Sequence, residues 1–392
     1  MTQRVLSVAC LLVVLALLVA LAPNASPVSM AMSQPELPAA SLDTVGRAPA
    51  QRSQQGEDVV GDPLAVRTDL DEPFGYGLST AWANGSEAYD LGFNWVKVFD
   101  VPAGPQPTKV LYRVDVDAYS WYSLQVFYQQ MRQLAQSHGP YIDAYEIGNE
   151  VNTYDEWRQA PNAVRYVDIL CTARYAIRPV DPTAQVISAG LAPVGRIADE
   201  WNGHAGHDGL VQDEREYLKE FIDYNGQLCA DGIGYHPMGF RADYDAEPDI
   251  DGGTPETDCS DGFCFRGVEK IHEILEERGL GDRKIWATEV GWIVEPPEDC
   301  LGHPSWVGRY WQIVSEETQA ENLVGAFRYA RFHWPWLQAL FVFNLDFVTA
   351  PWYDECEQMR YYSVHGRPAA DALDAMPKSV LSIYLPLVLR AE

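Results

Sequence analysis

Apolar runs and amphipathic stretches alternate along this chain in a way that predicts eight strands. The runs lie at 74–79, 94–99, 109–116, 142–147, 185–189, 232–236, 284–288 and 339–344. Several are almost continuously apolar, as expected of parallel strands covered on both faces. Helical spacing fills most of the intervals. Phe127, Met131 and Leu134 share one face, and so do Val164, Val167, Leu170 and Cys171. Leu218, Phe221 and Ile222 form a third such set, and Val268, Ile271 and Leu275 a fourth. A further helix is expected over about 317–332. Two intervals are weak: only a short turn fits at 86–91, and 101–108 is rich in proline. Eight strands with intervening helices imply an α/β fold, a (β/α)8 TIM barrel in a single domain. An open doubly wound sheet is the competing architecture. No Gly-x-Gly-x-x-Gly follows the first strand, so a nucleotide fold has no support.

The segments that follow strands are long, notably 191–211, 237–263, 292–313 and 346–365, whereas those that precede strands are short. A barrel builds its active site from the loops at the C-terminal ends of its strands. Two glutamates stand there. Glu150 follows the fourth strand in Tyr-Glu-Ile-Gly-Asn-Glu-Val-Asn, and Glu289 closes the seventh in Trp-Ala-Thr-Glu-Val-Gly-Trp. Two carboxylates at the mouth of one barrel are the minimum equipment for breaking a glycosidic bond.

These two motifs, Asn149-Glu150 and Thr288-Glu289-Val290-Gly291-Trp292, resemble those of the clan A glycoside hydrolases, the superfamily of retaining β-glycosidases with catalytic glutamates on strands 4 and 7. The resemblance spans roughly residues 72–376 and leaves the individual family open; β-1,3-glucanases, β-xylosidases and cellulases share it. It implies a general acid/base at Glu150 and a nucleophile at Glu289, with Asn149 on the sugar 2-hydroxyl. It also implies substrate contacts for Lys97, in place of a strand 2 arginine, and for His236. The clan's His-x-Tyr pattern has Met238 at its third position, so Tyr235 or a loop tyrosine would take that role. Strand 8 has Phe343 where a tryptophan is common, which leaves Trp352 or Trp292 to floor the sugar. The expected partner is a β-linked glycan of a polysaccharide or oligosaccharide, cleaved by double displacement. These departures on strands 2, 6 and 8 motivate the alternative, a non-catalytic carbohydrate-binding protein on a glycosidase-like barrel.

Charge and composition narrow the context. A formal charge of −28 argues against nucleic acid or an anionic membrane as partner. Residues 1–25 read as a signal peptide, with Arg4 before an apolar run over 6–21; an uncleaved anchor is the alternative. Residues 26–70 read as a flexible linker, 71–376 as the catalytic domain, and 377–392 as an apolar tail too short to span a bilayer. The expectation is a secreted monomer without a transmembrane domain after signal removal. Beyond Cys10, six cysteines suit three disulfides. Cys259 with Cys264 and Cys300 with Cys356 are the expected pairs; Cys171 is either part of a third bridge or a free, buried thiol in a helix. No metal or other cofactor is expected. The acidic stretch 243–261 lacks EF-type spacing, His204, His207 and Asp208 lack further zinc-ligand spacing, and no Gly-x-Ser-x-Gly occurs.

Overall fold

The computed structural model describes residues 74–194, 211–248, 259 and 263–378. The segments read as signal and linker, and the C-terminal tail beyond its first two residues, lie outside these residues. So do His204, His207, Asp208 and the middle of the acidic stretch. All eight expected strands form: β1 Gly75–Ser79, β2 Trp95–Val98, β3 Lys109–Val114, β4 Ala144–Ile147, β5 Gln185–Ser188, β6 Ile233–Tyr235, β7 Ile285–Val290 and β8 Leu337–Val342. They pair in parallel in the order β5-β4-β3-β2-β1-β8-β7-β6. Parallel bridges Ile187–Gly232 and Leu191–Tyr235 join the two ends, so the sheet closes into a (β/α)8 barrel.

The helices around it are α1 Ser86–Asp90, α2 Leu124–His138, α3 Tyr154–Trp157, α4 Ala163–Ile177, α5 Glu214–Asp223, α6 Val268–Glu277, α7 Glu316–His333 and α8 Pro368–Ala375. The interval 101–108 has no helix, as its prolines require. The apolar stripe of α4 is rotated from the expected one. Tyr166, Ile169, Leu170, Ala173 and Ile177 face the barrel, while Val164 is exposed. Cys171 is not a free thiol; it bridges α4 to Cys229, with Cα atoms 4.9 Å apart. The other two bridges, Cys259–Cys264 and Cys300–Cys356, are the expected ones. Among the described residues no helix is long and apolar enough to cross a membrane.

The barrel interior is filled in layers, as side chains alternate across each strand. The lower layer contains Trp95, Leu111, Ala144, Ile187, Trp286, Ala339 and Phe341. Trp286 meets Trp95 edge to face at 5.2 Å. Such large rings fit because β1 contributes glycine: a Cβ on Gly77 would lie 2.2 Å from the Phe341 ring. Two residues further along β2, β4 and β6 the inward positions become Lys97, Glu146 and His236, and the interior turns from apolar to charged.

Candidate active site

The alternation along β6 decides between two neighbouring candidates. Gly234 and His236 point into the barrel. Tyr235 points outward and is buried in the helix–strand layer, where Glu214 and Arg215 are its charged neighbours. Tyr235 is therefore not at the mouth, contrary to expectation. Trp292 is also displaced from its expected role. It is fully buried, donates from Nε1 to the Ala242 carbonyl at 2.8 Å and packs near Phe265.

Glu289 reaches the mouth through an irregularity in β7. Ala287 pairs with Leu340 and Val290 with Val342, so β7 spends one residue more than β8 between these points. A bulge of this kind re-aims side chains. It lets Thr288 and Glu289 both face inward, whereas strict alternation would send one to the outer layer. Glu150 is not in a strand: β4 ends at Ile147, and Glu150 takes a positive φ of 38° in the loop. Its backbone N–H donates to the Gly190 carbonyl at 2.9 Å, which fixes the loop against the end of β5.

The two glutamates share one histidine. Nδ1 of His236 lies 2.9 Å from Oε1 of Glu150 and 3.8 Å from Oε2 of Glu289. One oxygen of each glutamate and a nitrogen of His236 all lie within 4.8 Å of one another. Three such groups could hold a metal ion by geometry alone. Here Lys97 already supplies positive charge: its ammonium, fully buried, sits 2.9 Å from Oε1 of Glu289 and 2.8 Å from Oε2 of Glu146. Glu146 in turn accepts from the Gly190 N–H at 3.2 Å. The result is a chain of alternating acidic and basic side chains, Glu146–Lys97–Glu289–His236–Glu150, buried as far as His236 and partly exposed at Glu150.

Burial acts against the charged form of Glu289, but the charges of Lys97, His236 and Arg113 outweigh it and hold its pKa below the usual carboxylate range. Burial likewise works against a charged His236, yet Glu289 and the hydrogen bond to Glu150 carry its pKa above the usual imidazole value. Glu156, on α3, has its pKa raised by burial and by the charge of Glu150.

Above this cluster opens a cavity of about 500 Å³. Asn149, Glu150 and Glu289 line it, with Arg113, Phe343, Tyr353 and Trp352 among its walls. Arg113 stacks over the Phe99 ring at 4.6 Å and pairs with Asp115 at 2.9 Å. Trp352 is 54% exposed and meets Trp82 edge to face at 4.8 Å, forming an aromatic rim. Of the expected residues, Asn149, Glu150, Glu289 and Trp352 thus line the cavity. Lys97 is fully buried and acts on Glu289 from beneath, and His236 is buried between the carboxylates. Sequence reasoning missed Glu146, Arg113, Glu156 and Tyr353. Only Glu146 carried a local signal, as an acidic residue in an otherwise apolar inward register.

Fold and site together define the class as a (β/α)8 barrel with two glutamates and a shared histidine at the C-terminal mouth. Among solved structures the chain is similar to an endo-β-1,3-glucanase of glycoside hydrolase family 128 from Sorangium cellulosum, at 14% identity over 78% of this chain and 100% of that one, with a TM-score of 0.49. It is similar to a family 39 glycoside hydrolase from Bacteroides cellulosilyticus at 13% identity, over 80% of this chain and 65% of that one, TM-score 0.49. A family 128 endo-β-1,3-glucanase from Amycolatopsis mediterranei, in complex with laminaritriose, matches at 14% identity over 78% and 100%, TM-score 0.45. No protein-family model and no curated protein matches the sequence.

Proposed function

We propose that this protein is a retaining β-glycoside hydrolase of the clan A type, acting on a β-linked polysaccharide or oligosaccharide. The observation that carries this reading is the close approach of Glu150 and Glu289, whose nearest oxygens lie within 4.8 Å. Retaining enzymes hold their two carboxyl groups about 5–5.5 Å apart, and inverting ones leave about 6.5–9.5 Å for a water. Glu289 is the better nucleophile of the two because Lys97 and His236 keep it ionised. Glu150 is the more exposed, as a proton donor to a leaving group must be.

In the proposed first step an oxygen of Glu289 attacks the anomeric carbon as the glycosidic bond breaks. Glu150 delivers its proton to the departing oxygen, leaving a covalent glycosyl ester on Glu289. In the second step Glu150, now a carboxylate, takes a proton from water. The resulting hydroxide equivalent displaces Glu289 and restores both side chains. His236 orients Glu150 through the Nδ1 contact, and Asn149, which lines the cavity beside Glu150, would take the sugar 2-hydroxyl. Three disulfides among the described residues support export to an oxidising compartment.

The test is turnover of a panel of p-nitrophenyl β-glycosides. Glu289→Ala should abolish it, with azide restoring release and yielding the α-glycosyl azide. Wild-type activity in that variant would sink the assignment. Binding of β-glycans without turnover would instead favour the carbohydrate-binding alternative.

A further inference from the structure

The loop that carries Glu150 also brings a third carboxyl to the cavity. Its backbone is pinned at several points. The Gly148 N–H donates to the Val114 carbonyl at 2.8 Å, and the Thr153 N–H and hydroxyl both donate to the Glu150 carbonyl, at 2.8 and 2.9 Å. Asn152 exchanges hydrogen bonds with the backbone of Ala192, at 2.9 Å each way. Helix α3 follows at once. It is anchored by Trp157, which is fully buried and whose carbonyl accepts from the Ala118 N–H at 2.9 Å. With Trp157 turned into the core, Tyr154 and Asp155 are exposed, and Glu156 is half-buried in the wall of the cavity that Asn149 and Glu150 also line.

Glu156 forms no ion pair among the described residues; Arg113, in the same wall, pairs with Asp115. What Glu156 does hold is Asn149. A hydrogen bond from that side chain favours its charged form, against the upward pull of burial and of Glu150 on its pKa. A carboxylate only accepts, and the donor of an asparagine side chain is Nδ2. The Asn149 amide therefore turns Nδ2 toward Glu156 and Oδ1 away from it. That Oδ1 has no partner among the described residues, although Asn149 is only 6% exposed. A buried acceptor left unmade is costly unless a ligand completes it.

We propose that Glu156 is a positioning residue for the reaction proposed above. It fixes which end of the Asn149 amide meets the sugar, so the group taken at C2 must be a hydrogen-bond donor, a hydroxyl or an amino group. This rests on the glycosidase reading for its ligand and on the seat of Asn149 at the sugar 2-hydroxyl, and its test separates the two.

The probes are p-nitrophenyl β-glycosides of one sugar in three forms, 2-hydroxy, 2-deoxy and 2-deoxy-2-fluoro. The second-order rate of nitrophenol release is measured for the native protein, Glu156→Leu and Glu156→Gln, each at its own pH optimum. Every glycoside is compared with itself across the three proteins, so its inherent reactivity cancels. Glu156→Leu should lower the rate by about tenfold for the 2-hydroxy glycoside, and by about twofold or less for the other two, which have nothing to donate at C2. Glu156→Gln keeps an acceptor for Nδ2 and should stay within about threefold of the native protein on all three. Glu156→Ala replaces Glu156→Leu should the latter fold poorly, with the same pattern expected. An equal loss on the 2-hydroxy and 2-deoxy glycosides, as a merely structural role would give, overturns the proposal. So does a 2-fluoro loss as large as the 2-hydroxy one, a Gln variant as poor as the Leu variant, or no loss at all. Turnover by the native protein alongside any of those results leaves the glycosidase reading standing. If the native protein turns over none of the three, the glycosidase reading falls, and calorimetric binding of the same glycosides decides. A loss of affinity confined to the 2-hydroxy form in Glu156→Leu then supports the positioning role, and an equal loss or no binding overturns it.

Discussion

The ammonium of Lys97 lies 2.9 Å from Oε1 of Glu289 and 2.8 Å from Oε2 of Glu146, with all three side chains at least nine-tenths buried. A lysine clamped between two carboxylates inside a barrel divides its charge between them. Removing one member of such a set leaves an uncompensated buried charge, at a cost of about 3–5 kcal/mol. Lys97→Met is therefore expected to lower stability by that amount in a urea melt. The two partner variants should move the acid limb of kcat/KM in opposite directions. Lys97→Met removes the charge that holds Glu289 ionised, so the limb moves to higher pH. Glu146→Gln removes a negative neighbour and leaves Lys97 to Glu289 alone, so the limb moves to lower pH. Shifts in the same direction would contradict this account of the cluster.

The pH dependence of stability has two opposed contributions at the site. The folded pKa of Glu289 is lowered. Its stabilisation is present above the usual carboxylate range and is lost as pH falls through the folded value. The folded pKa of His236 is raised. Its stabilisation is complete below the usual imidazole value and is lost as pH rises through the folded one. His236→Gln should remove the alkaline part of the decline in thermal melts and shift the acid part to higher pH, because the charge of His236 helps hold the pKa of Glu289 down.

Glu214 makes a separate, testable contribution away from the mouth. It is buried on α5, and burial, with the charge of Asp213 adding, pushes its pKa up to about 7. Its Oε2 accepts from the Val194 N–H at 3.1 Å. A carboxyl raised in the fold binds its proton more tightly there than when unfolded, so stability falls as pH rises from the ordinary carboxylate range to about 7. Glu214→Gln keeps an acceptor for Val194 and carries no charge. It should stabilise the protein at pH 8 by roughly 1–3 kcal/mol and have little effect at pH 5. Equal effects at both pH values would refute a titrating Glu214.

Gly190 is where the backbone passes closest to the shared histidine. A Cβ there would lie 2.1 Å from Nε2 of His236 and 2.6 Å from Oγ1 of Thr288. Neither neighbour has free space to retreat into, since both are fully buried. Gly190→Ala should cost about 1–3 kcal/mol from overpacking. It should also reduce kcat by about tenfold or more, because His236 would no longer hold Glu150 in place. The predicted signature is a fall in kcat that exceeds any change in KM.

The Cys171–Cys229 bridge ties α4 to the segment just before β6 across 58 residues of chain. Replacing both cysteines with alanine should cost about 2–5 kcal/mol, read from urea unfolding under non-reducing conditions. An unchanged midpoint would show that the bridge does not contribute to stability.

Local pattern was enough to read the strands, because strand and helix periodicities are short-range properties. All eight runs became strands in the expected order, and the two glutamates stood out because their motifs sit where strands end. Contacts made at a distance were not legible in the same way. Tyr235 and His236 are adjacent in sequence but point to opposite layers, and only the closed barrel shows which layer is the mouth. Trp292 looked like a sugar platform until packing placed it in the core, and the partner of Cys171 lies far along the chain. The position of Glu289 depends on an extra residue in β7 relative to β8, a register feature invisible in either strand alone. The chain by itself therefore determined the architecture and the two carboxylates. Barrel closure decided that Lys97, Glu146 and His236 surround them, because closure brings together inward residues of strands that are distant in sequence.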